Sequence, residues 1–340
     1  MSIDAGFLRF YGLQDRPFDL TPDPRFLHLT RSHREALAQL LYGVQAQKGF
    51  VLLTGEVGTG KTTLVRAFLA RLGGNTAVAF VPNSMLPFAG LLQHVLAELG
   101  LATAGQSDAQ RLLSFQGLLA ERARAGQNML LILDEAQHLD VQTLEQIRLL
   151  SNFETPTEKL LQVILVGQPE LRARLALPEL RQLKQRISLR CSTAPLSPEE
   201  TQDYIRTRLR IARAPDLALF TERAMARIAE YSAGVPRVVN TVCDHCLVNG
   251  YADQIRRIDR DTVEETIEYL EEGARPHRYG QGPYSKRRMI PLRWGLVAVG
   301  AAALAATVGA TLWPCALAQP LQVSASLPDL ARSARGLVGL

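Results

Sequence analysis

Residues 50–64 read FVLLTGEVGTGKTTL: a short apolar run, the pattern Gly55-x-x-x-x-Gly60-Lys61-Thr62, and the opening of a helix. A strand with no polar face belongs inside a sheet covered on both sides. Glycines at 55, 58 and 60 let the backbone turn sharply and aim its N–H groups inward at an anion. The helix that begins near Lys61 adds its positive dipole end to the same place. In such a loop Gly55, Glu56, Val57, Gly58, Thr59, Gly60, Lys61, Thr62 and Thr63 surround the phosphates of a nucleoside triphosphate. Lys61 reaches the β- and γ-phosphates, and the Thr62 hydroxyl holds Mg²⁺.

The rest of the chain supplies a setting for that loop. Aromatic rings and prolines at 17, 22 and 24 predict an extended, anchored segment over residues 1–31. Apolar residues at helical spacing follow from Ser32 to Gln47, with Ser32 as N-cap and Glu35 completing a capping box. Short apolar runs at 50–54, 76–82, 129–133, 160–166 and 187–191 read as strands. Helical patterns at 86–99, 109–125 and 141–151 alternate with them. Wholly apolar strands separated by helices predict a parallel α/β core over residues 32–194. After Pro195 the strands stop. Helices expected near 198–212, 221–232, 236–248 and 260–271 form a small helical domain, 195–272.

Candidate chemistry clusters at strand ends. Residues 129–137, MLLILDEAQ, form an apolar strand closing on two acids, the Walker B pattern. Asp134 is placed to hold Mg²⁺ with Thr62, and Glu135, on the other side of the pleat, to act as general base toward water. The fourth strand ends in Gly167-Gln168-Pro169, and Gln168 is the polar side chain expected between the phosphate loop and the Walker B acids, facing the γ-phosphate or the attacking water; an ordinary turn residue is the alternative. Arg186, or Arg181 in second place, precedes the fifth strand and is a candidate to reach a neighbouring subunit's nucleotide. A solvated basic face is the competing reading for either. Gly234-Val235-Pro236-Arg237 opens a helix of the second domain and presents Arg237 from its first turn, where it can follow the γ-phosphate.

Composition excludes several classes. Four cysteines in 340 residues are too few and too scattered for a disulfide scaffold, and the lone Cys243-x-x-Cys246 reads as core packing rather than zinc. The formal charge of +5 is largely local, concentrated in Arg275, Arg278, Lys286, Arg287, Arg288 and Arg293. It therefore argues weakly for nucleic acid. Those residues lie in a Gly/Pro/basic linker, 273–293. Trp294–Trp313 then runs uncharged, long enough at ~1.5 Å per residue to cross the ~30 Å of a bilayer core. With tryptophan at both ends and the basic cluster before it, it predicts a transmembrane helix with residues 1–293 cytoplasmic. Residues 314–340 form a short tail on the far side. Ala298, Ala302, Ala306 and Ala310 line one face of the span, which predicts self-association in lipid. The N-terminus carries no cleavable signal pattern.

Taken in order and spacing, GEVGTGKTT, LILDEAQ, ILVGQPEL, RQLKQRIS and GVPRVVN resemble an AAA+ ATPase. With the opening FYGLQDRPFDLTPDPRFLHLTRSHREAL, the chain resembles the general secretion pathway protein A (ExeA-type) family over residues 7–272. That resemblance implies ATP and Mg²⁺ as ligands, a five-stranded parallel sheet of order 5-1-4-3-2, a helical lid, hydrolysis at sites shared between subunits of a homo-oligomer, and a following transmembrane helix. It also implies that Asn83, after the second strand, orients Glu135. Relatives carry a large periplasmic peptidoglycan-binding domain, for which the 27 residues after the span are too short. The expected role is an inner-membrane ATPase serving a cell-envelope machine of secretion, pilus assembly or polysaccharide export. DNA-handling ATPases of the transposition-target and initiator kind share this core and give one alternative; a scaffold for which ATP is a switch ligand and hydrolysis is slow gives the other.

Overall fold

A computed structural model describes residues 3–272 apart from 21, 22, 27, 83, 84 and 155–158. The linker, the expected membrane span, the tail and Asn83 lie outside the described residues. Among those described, no helix is long and apolar enough to cross a membrane.

Five strands, β1 (Phe50–Thr54), β2 (Thr76–Val81), β3 (Asn128–Leu133), β4 (Gln162–Gly167) and β5 (Ile187–Ser192), form one sheet in the order β2-β3-β4-β1-β5. Every pairing is parallel. The expected order is thus observed. The three inner strands are the most apolar because both of their faces are covered. Leu52, Leu131, Leu133, Val163 and Leu165 pack on one side under α4 (Phe88–Glu98), α5 (Asp108–Arg124) and α6 (Val141–Leu150). Val51, Leu53, Leu130, Ile132, Ile164 and Val166 pack on the other, against α2 (Arg31–Gln45) and α3 (Lys61–Leu69). The alternation follows from the two-residue repeat of a strand. Two short helices, α7 (Glu170–Arg174) and α8 (Arg181–Arg186), connect β4 to β5.

Four helices follow: α9 (Pro198–Ile211), α10 (Glu222–Ser232), α11 (Pro236–Ala252) and α12 (Arg260–Glu272). The first opens with the capping box that Ser197 and Glu200 specify. They enclose their own core, in which Cys243 and Cys246 are buried thiols. No cluster of three or more His, Cys, Asp or Glu side chains that could hold a metal ion occurs among the described residues.

Two expectations about the N-terminal part need correcting. Residues 1–31 are not extended throughout: Ile3–Tyr11 form a helix, α1. The prolines that break regular structure all lie at or beyond position 17, so they never reach the run in which Phe7, Phe10 and Tyr11 share a helical face. This segment completes the core of the helical domain, where Phe7, Tyr11, Leu13, Phe18 and Phe26 are all buried. The Tyr11 hydroxyl donates to the Leu247 carbonyl (2.8 Å), and Phe18 meets Phe220 edge-on at 5.8 Å. Second, α2 is capped by Thr30 rather than Ser32. The Thr30 side chain accepts from the His33 N–H, while Glu35 pairs with Arg31 at 2.8 Å instead of closing a capping box.

Phe18 is 0% exposed, so Phe18→Ala should remove about 3–5 kcal/mol of stability. Urea unfolding checks this. A change near zero would mean that the N-terminal segment is a dispensable arm rather than part of the core.

Candidate functional site

The loop after β1 is gripped from three sides, and its glycines mark where. A Cβ on Gly55 would lie 2.0 Å from the Thr193 hydroxyl oxygen, just past β5, and 2.9 Å from that of Thr59. A Cβ on Gly58, where φ is +78°, would lie 2.8 Å from the Arg237 Cβ at the start of α11. These positions accept no side chain. The Thr59 hydroxyl donates to the Glu56 carbonyl (2.8 Å). Having spent its one proton there, it must accept from Thr193 at 2.9 Å.

The third grip comes from α2. His33 Nε2 lies 2.9 Å from the Thr59 carbonyl oxygen and Nδ1 lies 2.6 Å from the Thr30 hydroxyl. A carbonyl only accepts, so Nε2 carries the proton and Nδ1 receives the Thr30 hydrogen. Burial holds the imidazole below its ordinary pKa, consistent with this neutral tautomer.

Gly60 precedes α3 in a left-handed conformation (φ 88°), so the helix's first N–H groups face the loop's hollow, where an anion can take them. The Lys61 ammonium donates to the carbonyls of Gly55 (2.9 Å) and Glu56 (3.0 Å). Burial lowers its pKa, while Glu135 and Asp134 oppose that shift. The Thr62 hydroxyl donates to Asp134 Oδ2 at 2.8 Å. Asp134 is buried, which raises its pKa against the Thr62 hydrogen bond.

Glu135 follows in a left-handed turn, φ 53° and ψ 36°, instead of continuing the pleat. Its carboxylate accepts from the side-chain amides of Gln137 and, at 3.2 Å, Gln168. Burial pushes the Glu135 carboxyl upward, yet the two amides and Lys61 outweigh it and the net shift is downward.

Most of the residues singled out in the sequence therefore converge. Residues 57–63, Glu135, Gln168 and Arg237 line a single cavity of about 220 Å³. The backbone N–H of Arg237 donates to the Gly58 carbonyl at 3.3 Å. Arg186 and Arg181 are not among the lining residues. The Arg186 guanidinium instead donates to the Ser151 hydroxyl at 2.8 Å and to the Arg148 carbonyl at 3.5 Å.

The opposite wall went unread in the sequence. Asp19, Leu20, Asp23, Phe26 and His28 contribute to it from the N-terminal segment, with Tyr204, Arg208 and Asn240 from the helical domain. Arg208 is 6% exposed and anchors this wall. It donates to the carbonyls of Pro17 and Asp19 and to the Tyr204 hydroxyl. Its guanidinium lies over the ring of Phe26 at 4.8 Å. The Tyr204 hydroxyl in turn donates to Asn240 at 2.9 Å. The i, i+4 spacing of Tyr204 and Arg208 places both on one helix face, a faint signal that the cavity alone makes meaningful.

Comparison with known proteins fits this arrangement. Residues 44–175 match the family model of the AAA domain. General secretion pathway protein A of Aeromonas hydrophila is 43% identical over 248 residues, 72% of this chain and 45% of that protein. The chain thus carries an AAA domain and is similar to general secretion pathway protein A. It spans less than half the length of that relative. An uncharacterised HTH-type transcriptional regulator of Methanocaldococcus jannaschii is 32% identical over 91 residues, 26% of this chain and 22% of its own. Among solved structures, the Aeropyrum pernix ORC2 protein in its ADPNP–ADP complexes matches with a TM-score of 0.60 at 18% identity, over 77% of this chain and 73% of that one. Drosophila ORC bound to DNA matches with a TM-score of 0.61 at 17% identity, over 79% and 67%. At such identities the likeness speaks for the fold alone.

His33→Ala leaves the buried Thr59 carbonyl without its donor and should weaken ATP-analogue binding roughly tenfold. Fluorescence titration reads this, and unchanged affinity would show that the loop keeps its shape unaided. The same residue makes stability pH-dependent. Below about 6.5 the unfolded chain takes up a proton that the buried imidazole refuses. Stability from this site is therefore present above that range and lost as pH falls. His28, also held low by burial, adds to the slope. His33→Gln should flatten the acid-side fall in thermal midpoint.

Proposed function

We propose that this AAA+ protein is a Mg²⁺-dependent ATP hydrolase anchored in the bacterial inner membrane, where it supports assembly or operation of an envelope machine. The observation that carries the hydrolysis reading is the contact of Thr62 with Asp134, beside a Glu135 carboxylate that lines the same cavity. Hydroxyl and carboxylate oxygens are the donors Mg²⁺ prefers, and here they meet at the head of a phosphate-binding helix. The fit to a triphosphate is equally local. Lys61 is held by neutral carbonyls that it can exchange for phosphate oxygens, and the helix's first N–H groups face the same hollow.

Thr62 and Asp134 would hold the metal, which supplies charge neutralisation to the β- and γ-phosphates. Lys61 and the loop amides bind phosphate. Glu135 takes a proton from the attacking water as its oxygen bonds to the γ-phosphorus and the bond to the β-phosphate oxygen breaks, releasing ADP and phosphate. Gln168 orients that water or the γ-phosphate. Arg237, already against the loop through its backbone, couples the lid to the state of the nucleotide. Arg186 acts in a neighbouring subunit's site, with Arg181 as the alternative. Arg186 must give up Ser151 to do so.

Support for the membrane role comes from the secretion-pathway relative and from the uncharged, tryptophan-bounded stretch 294–313 with its basic approach. The alternative, a DNA-handling ATPase, rests on a fold shared with origin-recognition structures. Detergent-free fractionation of cells separates the two, since a DNA-handling protein would stay out of the membrane pellet.

Glu135→Gln should retain ATP binding while turnover falls by at least about a hundredfold, the low end of what a general base supplies. A phosphate-release assay alongside a binding titration checks both halves. Turnover that persists removes Glu135 from this role.

A further inference from the structure

The motif that ends β3 contains one more polar side chain to which the reaction has so far given no task. Gln137 is 8% exposed, beside the end of β4: a Cβ added to Gly167 would lie 2.8 Å from its amide oxygen. Its two ends face different partners. The backbone N–H of Gln168 lies 3.1 Å from Gln137 Oε1. A backbone N–H can only donate, which fixes that end of the amide as the oxygen. The amide nitrogen is thereby turned toward Glu135, and it donates to Oε2 of that carboxylate. The side chain of Gln168 donates to the same oxygen at 3.2 Å. Glu135, Gln137 and the β4 turn thus form a closed ring of three hydrogen bonds, with the Glu135 backbone in its left-handed turn at the centre.

We propose that Gln137 is a positioning residue that aims the Glu135 carboxylate at the attacking water and ties that aim to the position of the β4 turn. The inference rests on the reading of Glu135 as the general base. A carboxylate on a short turn has free side-chain torsions, and a base misplaced by about an ångström can lose two orders of magnitude in rate. The ring removes that freedom. Because Gln137 holds the backbone of residue 168 rather than its side chain, displacement of the β4 turn is passed directly to the base.

The test uses the full chain in membranes and three variants. Gln137→Met fills the same volume without hydrogen bonds. It should lower kcat about tenfold or more while KM for ATP stays within about twofold. Retained ATP-analogue affinity certifies the fold. Should Gln137→Met fail to fold, the nearly isosteric Gln137→Glu decides the matter. It keeps an acceptor for the Gln168 N–H but offers Glu135 no donor, so kcat should fall as it does in Gln137→Met. A purely structural role for Gln137 would lower ATP-analogue affinity and raise KM along with the loss of kcat. Either that pattern or wild-type kcat in the folded variant overturns the inference. Glu135→Gln keeps the two failures apart. If it still turns over, the reading of the base is wrong; if it is inactive while the Gln137 variants match wild type, only the positioning role is lost.

Discussion

The contact on which this molecule depends is the approach of the phosphate loop to three elements distant in sequence. Gly55 lies against Thr193 and Gly58 against the first turn of α11. The Thr59 carbonyl lies against His33 on α2. The loop is too short and too rich in glycine to hold a shape alone, since each glycine loses more conformational freedom on ordering than other residues do. Its form is imposed from outside. The elements that impose it therefore share in whatever the loop binds.

That arrangement gives the helical lid its meaning. Its first turn touches the loop through the Arg237 backbone, and its body carries the N-terminal segment through Phe7, Tyr11 and Phe18 in a common core. Arg208 makes the same link beside the cavity, a buried cation that binds carbonyls and a hydroxyl and stacks on Phe26. A nucleotide whose phosphates sit on the loop would therefore lie between the sheet on one side and the lid with its N-terminal passenger on the other. On the proposed reading such a ligand would report its state to the lid through direct contact.

How much of this was legible in the residues depended on how local each feature is. The strands could be read because inner strands of a parallel sheet are apolar on both faces, as Leu130–Leu133 are. The loop could be read because Gly58 and Gly60 sit at positive φ and Gly55 has no room for a side chain. Thr30 is not the cap the residues suggest, because Ser32 two residues on offers the same hydroxyl, and only the tertiary position of His33 selects Thr30. The helix at Ile3–Tyr11 was hidden by prolines that lie downstream of it. His33 and Gln137 were not legible at all. Of their partners, the Thr59 carbonyl and the Gln168 N–H are backbone groups, which leave no trace in residue type.

The central claim is that core and lid build one nucleotide site together. Hydrogen exchange on the full-length Glu135→Gln protein, with and without Mg²⁺–ATP, tests it most directly, because that variant is expected to bind without turning over. Joint protection is predicted for residues 55–63, for the first turns of α11 and for the Arg208-anchored segment around residues 17–26. Protection confined to the phosphate loop, with the lid and N-terminal segment exchanging as before, would contradict the account.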